Sequence, residues 1–220
     1  MTGDRPEADL SVLAGIGLRL ALWLPLLIWA AQAWGWDYVN LWLPWYRTVL
    51  AWVLPDYTVT SLALTWQKGE WHIAGEFVTR RLLLVHEQIV PAGVGVNAST
   101  LMAHALKAPL ILAAAALAWP GLTWRGRALR LLISLPLLPL LAVLDVPLVL
   151  ASAVSDLLSW SASPEADAAS GLVDWSKVLD GGGRMALGIA AAFAAAGLQG
   201  WLARRCQDRF ERRRGLPAGL

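Results

Sequence analysis

Apolar residues run in long blocks along this chain rather than alternating with polar ones. The first block is Val12 to Trp34, about 23 residues, or roughly 35 Å as a helix. The second is Leu101 to Trp119, closed by Pro120-Gly121, the third Leu131 to Ala151, and the fourth Met185 to Ala203. Blocks of this length predict membrane-crossing helices, since a bilayer's hydrocarbon core is about 30 Å thick. Between the first two blocks the pattern changes. "LWLPWYRTVLAWVLP" (Leu41–Pro55) sets Trp and Leu around one Arg, as a helix lying in the interface plane would. Leu62, Leu64 and Trp66 then alternate with small or polar residues, as do Trp71, Ile73, Gly75 and Phe77. With Gln67-Lys68-Gly69-Glu70 between them, these runs predict a β-hairpin. "RRLLLVHEQIV" fits a third strand or a short helix. "PAGVGVNAST" reads as a Gly-rich lead-in, with Asn97 or Ser99 as N-cap of the second span.

The predicted fold class is therefore an all-α polytopic membrane protein. It has four transmembrane helices and a small extracytoplasmic α+β element, made of an interfacial helix and a β-hairpin. The segments are 1–11 (cytoplasmic N-terminus), 12–34 (first span), 35–100 (extracytoplasmic helix and hairpin) and 101–119 (second span). A cytoplasmic loop, 120–130, leads to the third span, 131–151. An acidic extracytoplasmic loop, 152–184, precedes the fourth span, 185–203, and a basic cytoplasmic tail, 204–220.

Charge sets the orientation. "WRGRALR" carries Arg125, Arg127 and Arg130, and "RRCQDRFERRRG" carries six Arg. Residues 152–183 hold Asp156, Glu165, Asp167, Asp174 and Asp180 against Lys177 alone. The positive-inside rule places both Arg-rich stretches and both termini in the cytoplasm, in a bacterial inner membrane. Asp4, Glu7 and Asp9 outnumber Arg5 ahead of the first block, which argues against a cleaved signal peptide. Only 15% of residues are charged and 57% are hydrophobic, far from the balance of a soluble domain. The basic residues cluster beside apolar blocks, which points to membrane lipid and other integral membrane subunits as partners, not to nucleic acid. A single Cys, Cys206, excludes an internal disulfide framework. "SASPEADAASG" (Ser161–Gly171) reads as a flexible loop.

Fourteen Trp is an unusual number beside three Phe and three Tyr. Trp34, Trp36, Trp42, Trp45, Trp119, Trp124, Trp160 and Trp201 lie near block ends, as interfacial anchors do. In the fourth block Gly188, Ala192, Ala196 and Gly200 recur every four residues, a stripe that lets another helix approach closely. Asp145 in the third block and Lys107 in the second each lie about six residues, roughly 9 Å, from the outer ends of their spans. A buried Asp145–Lys107 ion pair is the expected way to keep both charges in the membrane. His72, His86 and His104 all fall on the outer side near Glu70, Glu76 and Glu87. None shows helical i, i+4 ligand spacing, so neither a metal nor a cofactor is expected.

An outer hairpin, a short motif heading a span, a W-R turn, a Leu/Pro-rich span, an outer loop and a last span follow in that order. This order resembles the core of the exosortase/archaeosortase family of membrane-embedded Cys transpeptidases and proteases, which process proteins bearing a C-terminal sorting signal. That family carries A-C-S-G at the head of one span, N-x-x-R late in the next, and a His after the following loop. "NASTL" would fall on the first motif, placing Ala98 where Cys should be and keeping Ser99. "AVLD" would fall on N-x-x-R, with Ala142 for Asn and Asp145 for Arg, and the His position falls near Asp180. All three catalytic residue types are missing, and Cys206 lies on the cytoplasmic tail. The resemblance, over roughly 40–203, implies a degenerate member without thiolate chemistry.

The leading expectation is a non-catalytic integral subunit or accessory protein of a bacterial envelope assembly, of secretion, pilus, conjugation or export type. Two alternatives stand beside it. One is an exosortase-like peptidase or transpeptidase using Ser99 with His104 or His86. The other is a small proton-coupled transporter built around Asp145.

Overall fold

A computed structural model describes residues 6–85, 88–162 and 171–213. Among the described residues, seven α-helices and five strands make a helical bundle with a small sheet packed at one end.

The first helix, α1 (Pro6–Val53), is 48 residues long, about 72 Å. The spanning segment 12–34 and the expected interfacial helix are thus one continuous rod. Gly35, the residue best suited to break it, serves a close contact instead. A Cβ there would lie 2.8 Å from Leu106 Cδ1 on α2 (Met102–Ala118). The rod ends where Leu54 precedes Pro55, since proline disfavours the α conformation in the residue before it.

β1 (Tyr57–Gln67) and β2 (Glu70–Thr79) form the predicted hairpin. Lys68 and Gly69 both have positive φ, 51° and 85°, as a two-residue type I′ turn requires. Gly69→Ala is expected to cost about 1–2 kcal/mol, the penalty of a left-handed L-residue. Faster tryptic cleavage after Lys68 in the folded protein would report it. A bulge between Val59 and Ser61 moves the inward face of β1 from Tyr57 and Val59 to Leu62 and Leu64.

The Gly-rich lead-in proves to be a strand, β5 (Gly95–Leu101), paired antiparallel with β2 in the order β1-β2-β5. Asn97 and Ser99 therefore cap nothing. Leu101 is the N-cap of α2, without a side-chain bond. The "RRLLLVHEQIV" stretch holds a separate small pair, β3 (Leu83–Val85) and β4 (Gln88–Val90).

The expected third span is broken into α3 (Trp124–Ser134), α4 (Leu137–Leu144) and α5 (Val146–Ala162). Pro136 and Pro139 each remove the amide that would bond the carbonyl four residues back. Leu135 N donates to Leu132 O and Leu138 N to Leu135 O, both at 3.2 Å, and these tighter turns satisfy the carbonyls. The turn before α3 is shorter than the expected 120–130 loop, because Thr123 caps the helix by accepting from Gly126 N. The acidic segment is largely helical. α5 runs into it, and α6 (Gly171–Val178), a π-helical turn (Leu179–Gly183) and α7 (Arg184–Arg213) follow. Most of the expected flexible loop, 163–170, lies outside the described residues.

Two cores result. One joins the inner sheet face (Ile73, Phe77, Ala98) to Val39, Tyr46 and Leu50 of α1 and to Val146, Leu150, Val154 and Leu158 of α5. The other, inside the bundle, holds Ala108, Leu112, Leu141, Ala191 and Ala192. Among the described residues, three helical runs, Val12–Val53, Leu137–Ser161 (α4 with α5) and Gly171–Asp208 (α6 into α7), are long and apolar enough to cross a membrane, and the apolar α2 has 17 residues.

Candidate functional site

The main polar constellation lies between the two cores, where two helix breaks meet. Asp145 interrupts the α4–α5 run with φ −102° and ψ −91°. Pro147 lacks the amide that Val143 O would have used. Trp175 Nε1 donates to Leu144 O at 2.9 Å and so occupies the neighbouring freed carbonyl. Ser152 and Ser176 hydroxyls, 3.0 Å apart, add a second tie between α5 and α6.

The π-helical turn supplies the other half. Gly182 has φ +113°, open to glycine at little cost. A Cβ on Gly183 would lie 2.6 Å from Val178 O. These glycines let the chain turn tightly into α7, so that its first residue, Arg184, reaches Asp145. Arg184 Nε donates to Asp145 Oδ1 at 2.9 Å, and Arg184 Nη1 donates to Asp180 Oδ1 at 2.5 Å. The Arg184 and Asp145 side chains are only 3% and 5% exposed, while that of Asp180 is 63% exposed. Among the described residues, Asp145 Oδ2 and Arg184 Nη2 have no hydrogen-bond partner. Tyr46 lies within electrostatic reach of Asp145, and His104 within reach of Arg184, Asp180, Lys107 and Glu70.

The partner of Asp145 is therefore Arg184 and not Lys107. Lys107 lies within electrostatic reach of Asp145 but is exposed on α2 and forms no salt bridge among the described residues. The expected pairing assumed an unbroken third helix, with Asp145 at matched depth with Lys107. The break at Asp145 instead sets the carboxylate beside the head of α7. Arg184 had a legible signal, because Asp180 and Arg184 have the i, i+4 acid-before-base spacing of a helical ion pair.

Ser99 and His104 are not brought together. Ser99 lies on the exposed sheet face, in a shallow polar groove with Ser61, Thr65, Glu76 and Asn97. Strand alternation turns its neighbour Thr100 inward, and Thr100 Oγ1 lies 3.4 Å from His104 Nδ1. His86 lies outside the described residues. Among the described residues no three His, Cys, Asp or Glu side chains are placed to hold a metal ion.

The small-residue stripe divides. A Cβ on Gly188 would meet Ala108 O at 2.8 Å and Ile111 Cβ at 2.9 Å, and Ala192 is buried in the bundle core. Ala196 is half-buried, and nothing lies within 4 Å of a Cβ on Gly200. The first half of the stripe thus seats α2. Of the expected anchors, Trp34, Trp36, Trp45, Trp124 and Trp201 are exposed and Trp42 is half-buried beside Tyr38. Trp119 is a packing residue, edge-on to Phe193 with Arg130 over its face.

No protein-family model matches this chain, and no curated protein or solved structure shows significant similarity to it. Its long apolar helices mark it as a membrane protein.

Proposed function

We propose that this chain is a non-catalytic subunit or accessory protein of a bacterial envelope assembly, held in the inner membrane by four spans with both termini inside. The reading rests chiefly on α1. The most apolar stretch of that helix has 0% of its residues buried by the rest of the chain, against 50% for Leu137–Ser161. Leu13, Leu18, Leu22 and Trp29 all stand exposed there, a face open to lipid or to another membrane helix.

The orientation is supported by the way the Arg-rich stretches meet. Gln199 Nε2 on α7 donates to Gly126 O at the start of α3, which places "WRGRALR" and the Arg-rich end of α7 at one end of the bundle. Asp145, Asp180 and His104 mark the opposite end. On this reading the third span is α3 with α4, and α5 belongs with the sheet in the extracytoplasmic element, covered by α1, α6 and β5.

The family resemblance bears on the same region. Ala98, Ala142 and Val146 share one core, and Asp145 and Asp180 share one guanidinium. Two of the three stretches that would align with catalytic motifs thus meet at an ion pair, in keeping with a scaffold without a nucleophile. Pull-down from mild detergent, read by mass spectrometry, tests the proposal. One or more integral membrane proteins should co-purify in stoichiometric amounts. A stable, isolated monomer from native membranes would overturn it.

A further inference from the structure

Arg130 sits at the other end of the bundle from the Asp145 cluster and is 5% exposed. Its Nε donates to Gln199 Oε1 at 2.7 Å, and its guanidinium lies 4.6 Å from the centre of the Trp119 ring. Gln199 is itself held by Gly126 O, so the guanidinium is fixed in place. Among the described residues Arg130 Nη1 has no partner, and no carboxylate forms a salt bridge with it. A buried guanidinium without a counter-charge is strongly unfavourable unless an anion completes the pair. Arg127, one turn earlier on the same face of α3, also has an unpartnered buried Nε.

Trp124 heads α3, and Arg205 lies 4.1 Å from the centre of the Trp201 ring. Indole rings prefer the headgroup level of a bilayer. From Arg184 to Gln199 is 15 residues of α7, about 22 Å, which sets this layer near the far border of the hydrocarbon core.

We propose that Arg130 and Arg127 form a site for the phosphate of an acidic phospholipid headgroup in the leaflet on the Arg-rich side. The lipid supplies the counter-charge that the described residues lack, with Gln199 and Trp119 holding Arg130 ready for it. The inference takes the bundle's orientation from the reading above and does not depend on a protein partner. A lipid titration of the purified chain and a pull-down therefore fail separately.

The test titrates the delipidated full chain in detergent with phosphatidylglycerol, phosphatidylcholine or inorganic phosphate, read by native mass spectrometry. Phosphatidylglycerol should bind most tightly, and more weakly as salt rises. Arg127→Ala should weaken it about fivefold, and Arg127→Ala with Arg130→Gln about thirtyfold, at the usual worth of one basic residue near a membrane surface. The glutamine keeps a donor for Gln199. If the double variant does not fold, Arg127→Ala alone decides. Unchanged binding in a folded variant overturns the proposal. So does phosphatidylcholine binding as tightly as phosphatidylglycerol, or inorganic phosphate displacing the lipid at equal concentration.

Discussion

Asp145→Ala should lower the stability of the folded chain by about 3–5 kcal/mol, the usual cost of leaving one member of a buried ion pair alone. The loss comes less from the missing attraction than from what stays behind. Arg184 remains 3% exposed, with only the largely exposed Asp180 to answer its charge. Unfolding in mixed micelles, followed by tryptophan fluorescence, measures it. Two comparisons make the result specific. Asp180→Ala should cost no more than about 1 kcal/mol, because that carboxylate is mostly in solvent. Lys107→Ala should lie within about 0.5 kcal/mol of the parent, as an exposed residue outside the pair. Replacing Asp145 and Arg184 together by Leu and Met should recover most of the loss, since apolar groups of similar volume often replace buried ion pairs without cost. A Lys107 variant as damaging as Asp145→Ala would return Lys107 to the pair.

The same residues show how far the sequence could be read. The hairpin was legible because its alternation and its Lys68-Gly69 turn are local, and the turn type follows from φ at those positions. The long apolar blocks were legible for the same reason. What escaped was decided by contacts between distant segments. Gly35 looks like a place for the first helix to end, but Leu106 on another helix fills the space beside it and the rod continues. Gly95–Leu101 looks like a loop, with two glycines and an Asn in or beside it, yet β2 offers an unpaired edge and takes it as a strand. Propensity for a strand is weak in such a segment, and a partner edge overrides it. A charge inside an apolar block is legible at Asp145, and it is buried, but its partner depends on a helix break and a glycine turn that only the packed chain reveals. The Ser99–His104 pairing failed on strand parity. Once residues 95–101 are extended, Ser99 and Thr100 must face opposite ways, and Thr100 takes the inward place.

The second large effect separates packing within the chain from packing against a partner. Gly188→Leu should destabilise the bundle by about 3 kcal/mol, at the upper end of the usual overpacking cost. The first atom its Cβ would meet is a backbone oxygen, Ala108 O at 2.8 Å, which cannot swing aside as a flexible side chain would. α2 and α7 would have to part, and Ala108, Leu112 and Ala192 would lose their contacts. Gly200→Leu lies three turns along the same stripe, where nothing sits within 4 Å of a new Cβ. It should leave stability unchanged or raise it by up to about 0.8 kcal/mol, since leucine favours the helix over glycine. If the open end of the stripe faces a partner helix, Gly200→Leu should still reduce co-purification of that partner, because close backbone approach needs a small residue there. Thermal unfolding in detergent and pull-down yield, measured on the same two variants, distinguish the cases. Gly188→Leu should fail in both assays. Gly200→Leu should pass the first and fail the second, and passing both would show that any partner of this chain meets it on another face.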